Sequence, residues 1–176
     1  MKDSLPYKAR IIMITNVILS NLDYCNGILI CCKDNAIKPL QLILNKAIRF
    51  VFNLTKRTHI TPYLKQLHIL PIKFRIKFKV CLIAYRILNK TAPTYLIEKY
   101  PTFQPTTTIN LRTGCGRDTK MFAIEKHASQ RETIDDKIKI ERNKLPPEIR
   151  NQTSLTTLKT KLKEHFFIQA FNINPN

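Results

Sequence analysis

Few residues in this chain have the type and spacing that chemistry requires. Asp135-Asp136 is its one adjacent pair of carboxylates, the kind of pair that holds metal ions in phosphoryl-transfer sites. It stands in QRETIDDKIKIE, a charged and weakly periodic stretch with no convincing third carboxylate, so its expected state is a solvated surface. The four histidines, His59, His68, His127 and His165, lie far apart in the sequence. His59 sits beside a helix start, where a ring N–H reaches a backbone carbonyl or a phosphate, and His68 is expected to be satisfied and partly buried. The five cysteines, Cys25, Cys31, Cys32, Cys81 and Cys115, are odd in number and scattered, which does not resemble a disulfide framework. Adjacent Cys31 and Cys32 cannot both ligate one zinc comfortably, and no second ligand pair stands nearby. They are expected to be mostly buried thiols in a reducing compartment. Gly114-Cys115-Gly116 lacks the Gly-Lys-Ser/Thr ending of a phosphate loop. Neither a cofactor, a metal nor a small-molecule substrate is expected.

Positive charge is the stronger signal. Lys and Arg number 30 against 12 acids, a net charge of +18 with a pI near 10.0. An excess of this size speaks about partners rather than fold, and it favours a polyanion. Nucleic acid leads, because the charge is spread along helical segments where phosphates can be neutralised with release of counterions. Lys56, Arg57, Lys65, Lys73, Arg75, Lys77 and Lys79 crowd into about two dozen residues with few acids among them, and are the expected phosphate contacts. Tyr63 and Phe74 would stack on bases if exposed, but aromatic residues on helices are more often core.

The elements that must position these residues read as helices. With 176 residues, of which 44% are hydrophobic, the chain is long enough for one modest domain. Residues 6 to 30 carry Ile11, Ile14, Val17, Ile18 and Leu22 at helical spacing, weakening from Asp23 to Gly27. A second helix is expected from Ala36 to Leu54, capped by Asp34 or Asn35, with Pro39 in its first turn and a stripe of Ile37, Leu40, Leu44, Ala47, Ile48 and Val51. Thr61-Pro62 reads as a cap and first helical residue, with Leu64 and Leu67 inward and Pro71 as the stop. Residues 72 to 80 alternate apolar and basic, which alone suggests a strand. The run continues without a turn through CLIAYRIL, and Ile72, Ile76, Val80, Ile83 and Ile87 share one helical stripe, so a helix over 71–89 is expected. Thr94 to Tyr100 adds a short turn. A last helix follows Ser154, with Leu155, Leu158, Leu162 and Phe166 inward and Lys159, Lys161 and Lys163 on its polar face. The expected fold is all-α, a small irregular bundle of about five helices. It divides into a basic helical domain (1–100), a Pro/Thr/Gly-rich linker with a poorly patterned charged segment (101–144), and a C-terminal helical segment (145–176).

The N-terminal run IIMITNVIL is far short of the ~20 apolar residues that span a bilayer, and no small-residue cleavage site follows it. An intracellular place, nucleus or cytoplasm, is expected, with membrane association unlooked for and no secretion.

Three segments, in order, carry a resemblance: LDYCNGIL at 22–29, HITPYLKQLHILPIKFRIKFKVCLIAYRILNKTAPTYL at 59–96, and NKLPPEIRNQTSLTTLKTKLKEHF at 143–166. Together they resemble the C-terminal region of reverse transcriptases from non-LTR retrotransposons, of the LINE-like kind related to jockey, CR1 and X-elements. The central segment is the most specific, with its His-x-Thr-Pro opening, a Leu-Pro, a basic-apolar helix and Ala-Pro-x-Tyr-Leu. The resemblance implies a piece of a transposon-encoded RNA-directed DNA polymerase, following the catalytic palm, in or beyond the thumb. Its implied partners are template RNA or a primer–template backbone and an absent palm domain. The polymerase's aspartates would stand in an aromatic-x-Asp-Asp turn; here Thr133 occupies the aromatic position, so no enzyme activity is expected of the chain alone. The family usually has an apolar stretch ending in Trp before the Asn at 143, whereas Arg142 stands there in this chain.

Overall fold

The computed structural model describes residues 5–100, 122 and 133–172. Among them every regular element is helical, and no strand or sheet is present. The Pro/Thr/Gly-rich stretch 101–120 and His127 lie outside the described residues. The chain packs as two compact units, one of Met1–Lys77 with Glu164–Asn176, the other of Phe78–Lys163.

In the first unit, α1 (Tyr7–Met13) runs through a π-helical turn (Ile14–Leu19) into α2 (Ser20–Asp23). Thr15 Oγ1 donates to Ile11 O at 2.8 Å and Ser20 Oγ to Val17 O at 3.1 Å, side-chain bonds that compete with the regular ladder. The π turn changes the phase of the apolar stripe. A five-residue step brings Leu19 onto the side of Ile14, and both are buried, whereas Val17 of the expected stripe is 54% exposed. The rod stops at Tyr24, and it is Cys25, at φ 50°, that takes the left-handed turn; Gly27 lies within the 3₁₀ helix Asn26–Cys31.

Helix α3 spans Asp34–Val51. It starts two residues earlier than its pattern suggests, which puts Pro39 in the second turn, where it has no N–H to offer the Asn35 carbonyl. Lys33, rather than Asp34 or Asn35, precedes it. Leu44, Ala47, Ile48 and Val51 are buried, with Ile37 and Leu40 packed at the margin. Helix α4 (Thr61–Gln66) begins at Thr61, so Pro62 is its second residue and Thr61 is not a cap. Its end is set by His68, not by Pro71. His68 adopts φ 50°, its N–H reaches Lys65 O at 3.0 Å, and Ile69 N–H reaches Leu64 O at 3.0 Å, a Schellman closure that buries Ile69 beside Leu64.

Helix α5 (Ile72–Leu88) confirms helix over strand for the alternating stretch. Its first amide is satisfied by Gln41 of α3, whose Oε1 accepts from Ile72 N at 2.9 Å. Ile72 and Ile76 complete the core of the first unit with Ile14, Leu19, Leu22, Ile60 and Leu64. From residue 78 the helix belongs to the second unit, and its buried side turns to Val80, Cys81, Ala84, Tyr85 and Ile87; Ile83 of the expected stripe is 38% exposed. Three of the four described cysteines, Cys25, Cys31 and Cys32, are exposed, and only Cys81 is buried, contrary to the buried thiols expected. They fall on the short 3₁₀ helix and its flanks, where Leu29 and Ile30 rather than the cysteines pack against the core.

The second unit continues with α6 (Thr94–Lys99), α7 (Ile134–Asn143), α8 (Pro147–Arg150) and α9 (Leu155–Phe171), whose residues beyond Lys163 belong to the first unit. The unpatterned charged segment yields α7 because Thr133 and Asp136 form a reciprocal capping box. Arg142 is 1% exposed, and its Nη2 donates to Arg150 O at 2.5 Å, so a guanidinium with a long apolar stem fills the place where the resemblance leads one to expect Trp. Asn143 holds Phe122 like a paired strand residue, accepting from its N at 3.1 Å and donating to its O at 3.0 Å.

Helix α5 ends on Lys90, at φ 56°, with Thr91 N–H on Arg86 O at 2.9 Å. A left-handed lysine costs about 1–2 kcal/mol that glycine avoids. Lys90→Gly is expected to stabilise the chain by about 1 kcal/mol, read as a higher urea midpoint. Thr133→Ala, which removes the capping box, is expected to cost about 1 kcal/mol in the same assay and to lower helicity by circular dichroism.

Candidate nucleic-acid interface

Of the seven basic residues singled out by sequence, six lie in the first unit and Lys79 in the second. The six differ in what holds them. Arg75 forms a two-pronged pair with Asp23: Nε donates to Oδ1 at 2.8 Å and Nη2 contacts Oδ2, with side chains only 18% and 23% exposed. Asp23 Oδ1 also accepts from Asn26 Nδ2 at 3.2 Å. This cluster ties the chain after α2 to α5, and Arg75 is committed to it. Lys73 pairs with Asp34 at 3.1 Å, but at 56% and 69% exposure that pair is worth about 0–1 kcal/mol and exchanges readily for a phosphate. Lys65 Nζ lies 5.4 Å from the Phe171 ring and Lys77 Nζ 5.9 Å from Phe74, both half-buried.

Lys56 and Arg57 are placed differently. They occupy the two corners of a turn from Thr55 to Thr58, closed by Thr58 N–H on Thr55 O at 3.3 Å and by the two threonine hydroxyls at 2.8 Å. Both are exposed, and neither has an ionic or hydrogen-bonded partner among the described residues. The turn follows α3 at once, where Asn53 takes φ 52° and Leu54 N–H returns to Arg49 O at 2.9 Å. His59, beside the turn, is exposed as well. A short closed turn therefore presents two cations and an imidazole on an anchored base, an arrangement suited to anions.

The aromatic residues pack within the unit. Phe74 meets Phe166 at 6.3 Å between centroids and Tyr63 meets Phe52 at 4.7 Å, so both rings are half-buried in packing contacts rather than fully presented for base stacking. His68 is exposed rather than partly buried, its ring 5.3 Å from that of Phe167. His165 is half-buried, and burial lowers its pKa, which favours the neutral ring.

Asp135 and Asp136 have structural work in the second unit, not the bare solvated state expected. Asp136 closes the capping box. Asp135 receives the Tyr100 hydroxyl and pairs with Lys99 at 2.8 Å. Burial pushes the Asp135 carboxyl up, but the hydrogen bonds from Lys99 and Tyr100 and the Lys99 charge outweigh it and hold the group below its usual value. Burial first, then the same carboxylate, raises the Tyr100 phenol and keeps it protonated. Among the described residues no cluster of three or more His, Cys, Asp or Glu is placed to hold a metal ion, and no helix is long and apolar enough to cross a membrane. Comparison with protein-family models, with curated proteins and with solved structures found no match to this chain.

The capping box was legible as Thr-x-x-Asp ahead of Ile138, a signal the charge of the segment obscured. The Asp23–Arg75 pairing, 52 residues apart, has no local signature.

Two outcomes test this division of the charges. Arg75→Ala is expected to cost about 2 kcal/mol of unfolding free energy, because it strands a half-buried carboxylate, whereas Lys73→Ala changes it by less than about 1 kcal/mol. Because the folded-state pKa of Asp135 is lowered, its stabilisation is present above the unfolded value near 3.9 and is lost as pH falls through the folded one. Urea midpoints should therefore decline on acidification below about pH 4 less steeply in Asp135→Asn than in the parent chain.

Proposed function

We propose that this chain is a nucleic-acid-binding C-terminal piece of a non-LTR retrotransposon RNA-directed DNA polymerase, one that grips template RNA or a primer–template backbone and does no polymerisation itself. The observation that carries the reading is the Thr55–Thr58 turn, with Lys56 and Arg57 exposed and without partners among the described residues, in a chain of net charge +18. The turn stands at the entrance to the segment His59–Leu96 on which the family resemblance chiefly rests. Lysine and arginine on a closed turn contact phosphates without reading bases, so binding is expected to be strong in low salt and indifferent to sequence. Lys73, Lys65 and Lys77 supplement the turn, while Arg75 is committed to Asp23.

A second reading is favoured by the exposed apolar side chains of the first unit. Ile12, Val17, Ile28 and Leu42 are 54–61% exposed, as suits a segment that packs against a further polymerase domain. On that reading the chain is a packing piece, or a relic of one, with no activity of its own.

Fluorescence anisotropy with single-stranded RNA, duplex DNA and an RNA–DNA hybrid, from 50 to 200 mM salt, separates the two. About five phosphate contacts give a log–log salt slope of about −4. Lys56→Gln/Arg57→Gln is expected to flatten that slope by about 1.4 on single strands, with helicity unchanged. Weak, salt-independent binding would favour the packing role.

A further inference from the structure

We propose that the face of α9 carrying Lys159 and Lys163 is a second backbone-phosphate contact, in the other unit from the Thr55–Thr58 turn. The proposal rests on the nucleic-acid reading above and adds to it a surface that the cluster at 56–79 does not contain.

Leu158 and Leu162 are both 0% exposed, which fixes the side of α9 that faces inward within the second unit. At about 100° per residue, Lys159, Lys163, Thr156 and Thr160 follow one another round an arc of about 100° that starts on one flank of that side, while Lys161 lies on the opposite flank. All four are exposed, and neither lysine has a partner among the described residues. The sequence from Ile149 to Lys163 contains no acid; the next carboxylate, Glu164, adjoins Lys163, and neither lysine pairs with it. The lysines stand one turn apart, about 6 Å along the axis. Thr160 Oγ1 donates to Thr156 O at 3.3 Å and the Thr156 hydroxyl pairs with that of Ser154 at 2.7 Å, so the two lysines carry the contact. Two exposed ammonium groups one turn apart are donors that suit successive phosphates of a nucleic-acid strand.

An anionic membrane is the other polyanion such a face could meet. Interfacial helices sink an apolar side into the lipid boundary, however, and Leu158 and Leu162 are already buried in protein. A nucleic-acid backbone asks for no such insertion.

The test uses the full chain and three sets of substitutions: Lys159→Gln/Lys163→Gln, Lys161→Gln, and Lys56→Gln/Arg57→Gln. Binding to a fluorescent single-stranded RNA is followed across a salt series, beside sedimentation with phosphatidylserine vesicles. Glutamine keeps helix propensity close to that of lysine, so folding is preserved and circular dichroism checks it. The expected result is a slope flatter by about 1.4 and affinity reduced roughly tenfold at 0.1 M salt for Lys159→Gln/Lys163→Gln, with at most a small change for Lys161→Gln. An unchanged slope in the α9 double variant, while Lys56→Gln/Arg57→Gln still flattens it, overturns the second contact and leaves the proposed function standing. Equal losses from Lys161→Gln and the pair overturn the assignment of a face. Loss of vesicle binding alone assigns the face to lipid and overturns the proposal; absence of RNA binding in the parent chain removes both.

Discussion

A chain with 30 basic and 12 acidic side chains cannot neutralise itself, and the placement of its acids decides which cations are left for a partner. Asp23 takes Arg75, Asp34 takes Lys73, Asp135 takes Lys99 and Glu141 takes Lys144. These pairings are unequal. The Arg75–Asp23 pair is largely withdrawn from water and planar on both sides, so it fastens one segment to another. The Lys73–Asp34 pair, exposed on both sides, is loosely held and gives way to a stronger anion. Internal pairing thus sorts a uniform-looking run of lysines and arginines into fasteners and contacts.

That sorting explains why the helices were readable and the interface less so. Periodicity in α3 and α5 is a local property, set by which residues recur at 3.6, and it named Leu44, Ile48, Ile72 and Ile76 as core without reference to anything distant. The alternation of α5 misled only when taken alone, because a two-residue period cannot persist through CLIAYRIL. What could not be read were the effects with no local signature. A π turn shifts the stripe after Ile14 by one residue, and the burial of Arg142 depends on a carbonyl eight residues on. The division of charge depends on Asp23, Asp34 and their distant partners.

Helix ends show the same contrast. Proline and threonine at 61–62 announced a helix start to within one residue, but of the left-handed stops at Asn53, His68 and Lys90 only Asn53 carries a residue that suits the position. Turn closure there is enforced by the residue immediately after each stop. Leu54, Ile69 and Thr91 each return a backbone bond to the helix, and Ile69 adds a buried side chain. At His68 tertiary burial reinforces the closure, because Ile69 must be packed; after Asn53 and Lys90 the backbone bond alone closes the turn.

The scarcity of glycine has a thermodynamic counterpart on the unfolded side. Only three glycines stand in 176 residues, beside ten prolines, so the disordered chain samples fewer backbone states than an average sequence and surrenders less entropy when it folds. The strain at Asn53, His68 and Lys90 is the native-state face of that stiffness. A chain built this way carries tension at its helix ends and, in return, begins folding from a narrower ensemble.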